Sequence, residues 1–86
     1  MKIIFHKTFL KQYTKLDTWL ANKSEDAIKK FQHNPYDPSL HNHLLHGDMS
    51  GLRAFSVTGD IRIIFEVQGN YALVIFLEIG GHNKVY

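Results

Sequence analysis

The sequence predicts an α+β domain in which a two-helix hairpin packs on one face of a mainly antiparallel four-stranded sheet, in the order β-α-α-β-β-β. Three observations carry that prediction. Leu52–Val57 and Ile61–Val67 are rich in β-branched and aromatic residues and flank the turn residues Thr58-Gly59-Asp60, the pattern of a β-hairpin. Tyr71–Ile79 is almost continuously apolar, as expected of a strand covered on both faces and central in its sheet. Between Thr8 and Asn34 the apolar residues recur at helical rather than strand spacing.

The elements follow in order. Lys2–His6 reads as a short strand, since Ile3, Ile4 and Phe5 favour β structure. Phe9, Tyr13, Leu16 and Leu20 then lie on one helical stripe, with Leu10 and Trp19 at its edges and Lys11, Lys15 and Asp17 off it. Asn22 or Ser24 is the expected cap of a second helix, with Glu25 and Asp26 in its first turn and Lys29 and Lys30 in its last. Ala27, Ile28 and Phe31 form the inward face of that helix, and Asn34-Pro35 ends it. Pro35–Ser50, with both prolines and a histidine cluster, reads as one long connection, a kind of loop that is often functional. After the hairpin, Gly69-Asn70 is expected to make a two-residue turn into the last strand, and Gly80–Tyr86 forms a tail. No repeat, low-complexity tract or linker interrupts residues 1–86, so a single domain is expected.

The composition narrows the function classes. A hydrophobic share of 44% and a charged share of 21% are those of an ordinary globular chain. The absence of cysteine removes disulfides, thiolate zinc sites and thiol nucleophiles, and fits a reducing cytoplasm. The apolar run at the N-terminus is too short for a signal peptide and no stretch reaches the length of a membrane span, so a cytoplasmic protein without a membrane partner is expected. A net charge of +2 is compatible with an anionic partner.

The hairpin supplies the first candidate residues. With a two-residue loop, Arg53, Phe55 and Val57 share a face with Arg62, Ile64 and Glu66, while Leu52, Ala54 and Ser56 join Ile61, Ile63, Phe65 and Val67. A three-residue loop with a bulge reverses this parity and separates the two arginines. The first register is expected because it leaves one clean apolar face for the helices and a pair of guanidinium groups on the other, suited to a phosphate. A salt bridge from Arg62 to Glu66 or Glu78 is the plainer alternative, and Asp60 is equally explained as turn chemistry. His41, His43 and His46 admit three readings: metal ligands, a polar loop, or acid–base groups. The metal reading ranks last, for want of a fourth ligand and a cysteine. Two imidazoles flanking a phosphodiester can deprotonate a 2′-hydroxyl and protonate the leaving 5′-oxygen, and His82 is the candidate for the second. Tyr86 offers a ring for base stacking, or a frayed terminus. Arg53, His46 and Lys84 are the candidates for holding phosphate or RNA.

Gly51–Phe65, followed by an apolar strand and Ile-Gly-Gly-His-Asn-Lys-Val-Tyr, resembles the RelE/ParE superfamily of toxins from bacterial toxin–antitoxin pairs. His43-Leu-Leu-His-Gly47 is similar to the histidine loop of its YafQ-like branch. The resemblance covers the whole chain in element order and is good residue by residue from about His43 to Tyr86. It implies the small RelE-like α+β fold, and for many members a ribonuclease that cuts mRNA in the ribosomal A site by 2′-hydroxyl attack, with no metal or other cofactor. It also implies an antitoxin protein, mRNA and ribosomal RNA as partners. By the same resemblance His43 matches the acid–base histidine of the loop, Asp60 the turn carboxylate and Arg62 the phosphate-stabilising arginine. His82 matches the tail general acid, and Tyr86 the terminal aromatic. Two departures stand out: Ser56 where some YafQ-like relatives carry a further histidine, and Gly81 where threonine or lysine is common. The fold also hosts ParE-like inhibitors of DNA gyrase, and an inactive, antitoxin-binding member is a third reading.

Overall fold

The computed structural model describes residues 1–81; His82, Lys84 and Tyr86 therefore lie outside the described residues. The elements are β1 (Lys2–Phe5), α1 (Lys7–Tyr13), α2 (Thr18–His33), β2 (His43–Leu44), β3 (Arg53–Ser56), β4 (Ile61–Gln68) and β5 (Leu73–Gly81), with short 3₁₀ turns at Pro38–Leu40 and Gly47–Met49. The sheet order is β1-β5-β4-β3-β2. β1 runs parallel to β5, and every other pair is antiparallel. The α+β class and helix hairpin are as expected, but the sheet has five strands rather than four. The fifth, β2, lies inside the expected loop, and two residues paired to Ala54 and Arg53 are too few for a sequence period.

The helices divide earlier than the sequence reading places the break. Thr14 turns its hydroxyl back to the Lys11 carbonyl at 2.8 Å as α1 ends. The Asp17 carboxylate then accepts the Leu20 N–H at 2.8 Å and caps α2. Asn22 and Ser24 are therefore interior to α2, not caps, and buried Ser24 donates to the Leu20 carbonyl at 2.8 Å. The apolar stripe runs through the break, which is why periodicity alone misses it.

Both helices cover the face carrying Ile63 and Phe65. Phe31 of α2 is fully buried and stacks on Phe55 at 4.5 Å between ring centroids, with Phe65 edge-on at 4.9 Å and Phe76 at 5.7 Å. Such aromatic contacts concentrate most of the buried apolar area of a small domain in a few side chains. The other face carries a smaller cluster of Leu45, Ala54 and Ile64, bordered by Met49, Leu52 and Leu77. β5 serves both: Ile64 pairs with Glu78 and Phe65 with Phe76, so Leu77 is the extra residue of a bulge and packs with the second cluster. β5 is an interior strand flanked by β1 and β4, with β4 rather than β5 at the middle of the sheet, and it starts at Leu73 instead of Tyr71. Gly69, Asn70 and Tyr71 all have positive φ (60°, 54° and 71°) and, with Ala72, make a four-residue loop where two residues were expected.

Candidate functional site

The hairpin register is the bulged one. Ser56 pairs with Arg62, Phe55 with Ile63, Ala54 with Ile64 and Arg53 with Phe65. The N–H groups of Val57 and Thr58 both reach the Ile61 carbonyl, at 2.8 and 3.2 Å, so two residues oppose one. The Thr58 hydroxyl accepts from the Ile61 N–H at 3.1 Å and holds the turn. The expected pairing of Arg53 and Arg62 on one face is thereby corrected. Packing explains the outcome: this register turns Phe55 toward the helices, where it is 0% exposed, whereas the other would have turned Ala54 and Ser56 toward them in its place. Burying a phenylalanine side chain favours the observed parity by about 1.5–3 kcal/mol.

Arg62 lies on the face away from the helices, between Ser56 of β3 and Gly80 of β5, two small residues. His43 is on the same face. It pairs with Ala54, whose other partner is Ile64, one pleat from Arg62. Two strand spacings put the backbones of β2 and β4 about 10 Å apart, a gap that long side chains can bridge from either side of a ribose-phosphate unit. Two of the expected site residues, His43 and Arg62, are thus brought to one surface.

The loop before β2 prepares the imidazole. His41 adopts a left-handed conformation (φ 51°, ψ 44°), and His43 Nδ1 lies 2.8 Å from its carbonyl oxygen. A carbonyl only accepts, so Nδ1 carries the hydrogen, and in the neutral ring Nε2 holds the lone pair. His43 is exposed, so that lone pair is open to a substrate. His46 is exposed too, at the start of the Gly47–Met49 turn, where its side chain makes no capping bond.

Asp60 is exposed in the hairpin turn, its N–H donating to the Thr58 hydroxyl at 3.3 Å. It immediately precedes Ile61, which pairs with Gly81 at the end of β5. A Cβ on Gly81 would meet only the Asp60 carbonyl, at an ordinary 3.9 Å, so a side chain fits there. Gln12, which sequence reasoning passed over, secures this end of β5: its side-chain carbonyl accepts the Ile79 N–H at 2.8 Å, beyond the point where β1 stops.

Arg53 serves a different neighbourhood. Its Nε donates to Asn42 Oδ1 at 2.8 Å. The Asn42 amide donates in turn to the Pro35 carbonyl at 3.0 Å and the Tyr71 hydroxyl at 2.9 Å. Tyr71 packs against Phe31 and meets Tyr36 edge-on at 5.3 Å. A left-handed aromatic residue costs on the order of 1–3 kcal/mol, which these contacts must offset. Burial, and then the Tyr36 hydroxyl, push the Tyr71 phenol above its ordinary value. No sequence period marks Asn42 or Tyr71; Asn-Tyr after Gly69 was the available hint, since Asn tolerates positive φ.

Two concavities lie elsewhere on the surface of the described residues. An apolar groove of about 550 Å³ runs between β1, α1 and α2, with Phe5, Leu10, Tyr13 and Ile28 on its walls. A polar cleft of about 370 Å³ lies between α2 and the end of β3, with Lys23, Lys30, Ser39 and Ser56 around it and Asp26 as an opposing charge. Among the described residues, no three His, Cys, Asp or Glu residues form a group able to hold a metal ion. Nor is any helix among them long and apolar enough to cross a membrane.

The same fold recurs in solved structures. YafQ from E. coli strain BL21(DE3) superposes with a TM-score of 0.83 at 19% identity, over 99% of this chain and 97% of that one. The YoeB/ParE toxin from Agrobacterium tumefaciens gives 0.78 at 21% identity, over 95% and 99%. YafQ in the E. coli DinJ–YafQ complex gives 0.74 at 19%, over 99% and 97%. At these identities the likeness is one of fold. No curated protein matches significantly in sequence. The family model for the ParE toxin of type II toxin–antitoxin systems, parDE, matches residues 3–86.

Proposed function

The chain belongs to the ParE toxin family of type II toxin–antitoxin systems, within the RelE/ParE superfamily, and from that premise we propose that it is an endoribonuclease that cuts translated mRNA. One observation supports the reading: an exposed imidazole whose Nδ1 is engaged by a carbonyl shares with Arg62 the sheet face away from the helices, across the small cluster of Ala54 and Ile64. His43 Nε2 accepts the proton of a ribose 2′-hydroxyl, and the oxygen attacks the adjacent phosphorus. The Arg62 guanidinium binds the non-bridging oxygens as charge builds on them. The bond to the 5′-oxygen breaks, that oxygen takes a proton from His82, and the products are a 2′,3′-cyclic phosphate and a 5′-hydroxyl. Asp60 lies beside this centre in the turn, and Tyr86 supplies a ring for base stacking. His46 and Lys84 hold the RNA backbone. The reading requires no metal or cofactor, and places the activity in the cytoplasm, on the ribosome, whose RNA orders the substrate.

The antitoxin is expected to cover the open face with an acidic or strand-forming segment, since leaving that face exposed leaves the toxin active. A second reading, a gyrase inhibitor that cuts no RNA, is favoured by one observation, that the matching family model is the ParE one. Mapping 5′ ends of cellular RNA after induction without antitoxin separates them. Cleavage within translated messages, lost in His82→Ala, supports the nuclease. Equal toxicity of His82→Ala removes that residue's role, and DNA-damage signalling with intact messages favours the gyrase reading.

A further inference from the structure

The side chain of Asn42 makes three hydrogen bonds to three separate segments, using both of its N–H groups and its carbonyl oxygen. Its carbonyl oxygen faces the Arg53 Nε–H on β3, and its two N–H groups face the Pro35 carbonyl in the connection and the Tyr71 hydroxyl in the β4–β5 loop. A flipped amide would set donor against donor at Arg53, so the orientation is determined. Asn42 stands between His41, whose carbonyl engages the imidazole, and His43, which bears it. Because side chains alternate along a strand, Asn42 points to the helix side while His43 points to the open side. Whatever pins Asn42 therefore pins the backbone from which His43 projects. β2 itself has only two residues and cannot hold its position by ladder bonds alone.

We propose that Asn42, gripped by Arg53 and Tyr71, is a positioning residue for His43: it holds the loop so that the His41 carbonyl keeps the proton on Nδ1 and Nε2 faces the substrate. The proposal rests on the assignment of His43 as the base. It gives Arg53 a role in the reaction without contact with RNA, through the opposite side of the sheet. It also accounts for the left-handed Tyr71, since that conformation brings its hydroxyl to the Asn42 amide.

The test is long-range proton–nitrogen spectroscopy of the histidine rings in ¹⁵N-labelled protein, wild type against Asn42→Ala and Tyr71→Phe, beside cleavage of translated message. In the wild type the His43 ring should carry its proton on Nδ1 above neutral pH. In Asn42→Ala the Nδ1-H to Nε2-H ratio should fall about fivefold, the strength of one ordinary hydrogen bond, and cleavage should fall roughly tenfold. Tyr71→Phe keeps the ring packing and should shift the ratio in the same direction by less, which keeps the test available if Asn42→Ala folds poorly. A His43 ring that retains its Nδ1 proton in both variants overturns the proposal, even if their thermal stability drops. A ring that shifts as expected while the wild-type chain cuts no RNA supports the positioning and removes the nuclease reading.

Discussion

Arg53 and Arg62 project from neighbouring strands of one hairpin, yet they belong to different parts of the molecule. Arg53 is on the helix side, its Nε–H donating to Asn42 within a network that ties three segments together. Arg62 is on the open side, between two small residues and within reach of the surface that carries His43. The residue type is the same; the extra residue in the turn separates them. Side-chain alternation makes a one-residue shift in pairing a complete exchange of faces, so a local detail at Val57-Thr58 decides which arginine lies on the face away from the helices. The Asn42 network is half-buried and ties three segments together, whereas the face of Arg62 carries the exposed His43.

The strongest way to break this comparison is through adjacent residues of β3. Phe55→Ala should destabilise by about 3–5 kcal/mol, a large fraction of the stability of so small a domain. Ser56→Ala should change stability by about 0.5 kcal/mol or less. Denaturant melts of the two variants check the parity directly, and equal losses would contradict the bulged register. Next comes Arg62→Ala, expected to lower message cleavage about 10²–10³-fold while changing stability by about 1 kcal/mol or less. A quantitative primer-extension assay beside a thermal melt reads both.

Arg53→Ala should do the converse. Leaving the Asn42 carbonyl without its donor costs about 1–3 kcal/mol, and activity should survive at a level set by the looser His43 loop. Loss of cleavage as complete as that of Arg62→Ala would restore Arg53 to direct phosphate binding. A smaller effect lies in the alkaline limb of stability. The Tyr71 phenol is raised from its ordinary 10.0, chiefly by burial, so the folded state keeps a proton that the unfolded chain releases. That contribution is fully present below pH 10 and is lost as pH rises through the raised folded value. Tyr71→Phe should flatten the decline in a pH series of melts above pH 10. The smallest effect is at Asp37, whose carboxyl is held below its ordinary 3.8 by the Ser39 hydroxyl and backbone N–H. Its contribution is present above that value and fades as pH falls through the lowered folded one. Asp37→Asn should remove only a slight part of the acid destabilisation, since the carboxyl lies at the surface within a local turn.

The candidate residues were legible because they are rare types in short stretches. His43 and Arg62 stand out from their neighbours by type, and the open face follows once the helices are given the Ile63 and Phe65 side. Arg53 was misread because alternation within a strand says nothing about its phase against the next strand. The bulk of Phe55 was the available signal, since a hairpin seldom leaves its largest apolar side chain outside. Asn42 and Gln12 were not legible at all, and Tyr71 only through the Asn-Tyr pair after Gly69. Each acts through partners distant in sequence: Asn42 pairs with Tyr71 across 29 positions and Gln12 with Ile79 across 67.

By itself the sequence determined the class of fold, the two helices and the main strands, and the apolar face that joins them, because periodicity and turn chemistry are local properties. Only the tertiary structure decided the fifth strand, the break between the helices, and which arginine looks outward. Those depend on the relative phase of segments and on hydrogen bonds between them, and phase is settled when Phe55, rather than Ala54 and Ser56, takes the space against Phe31.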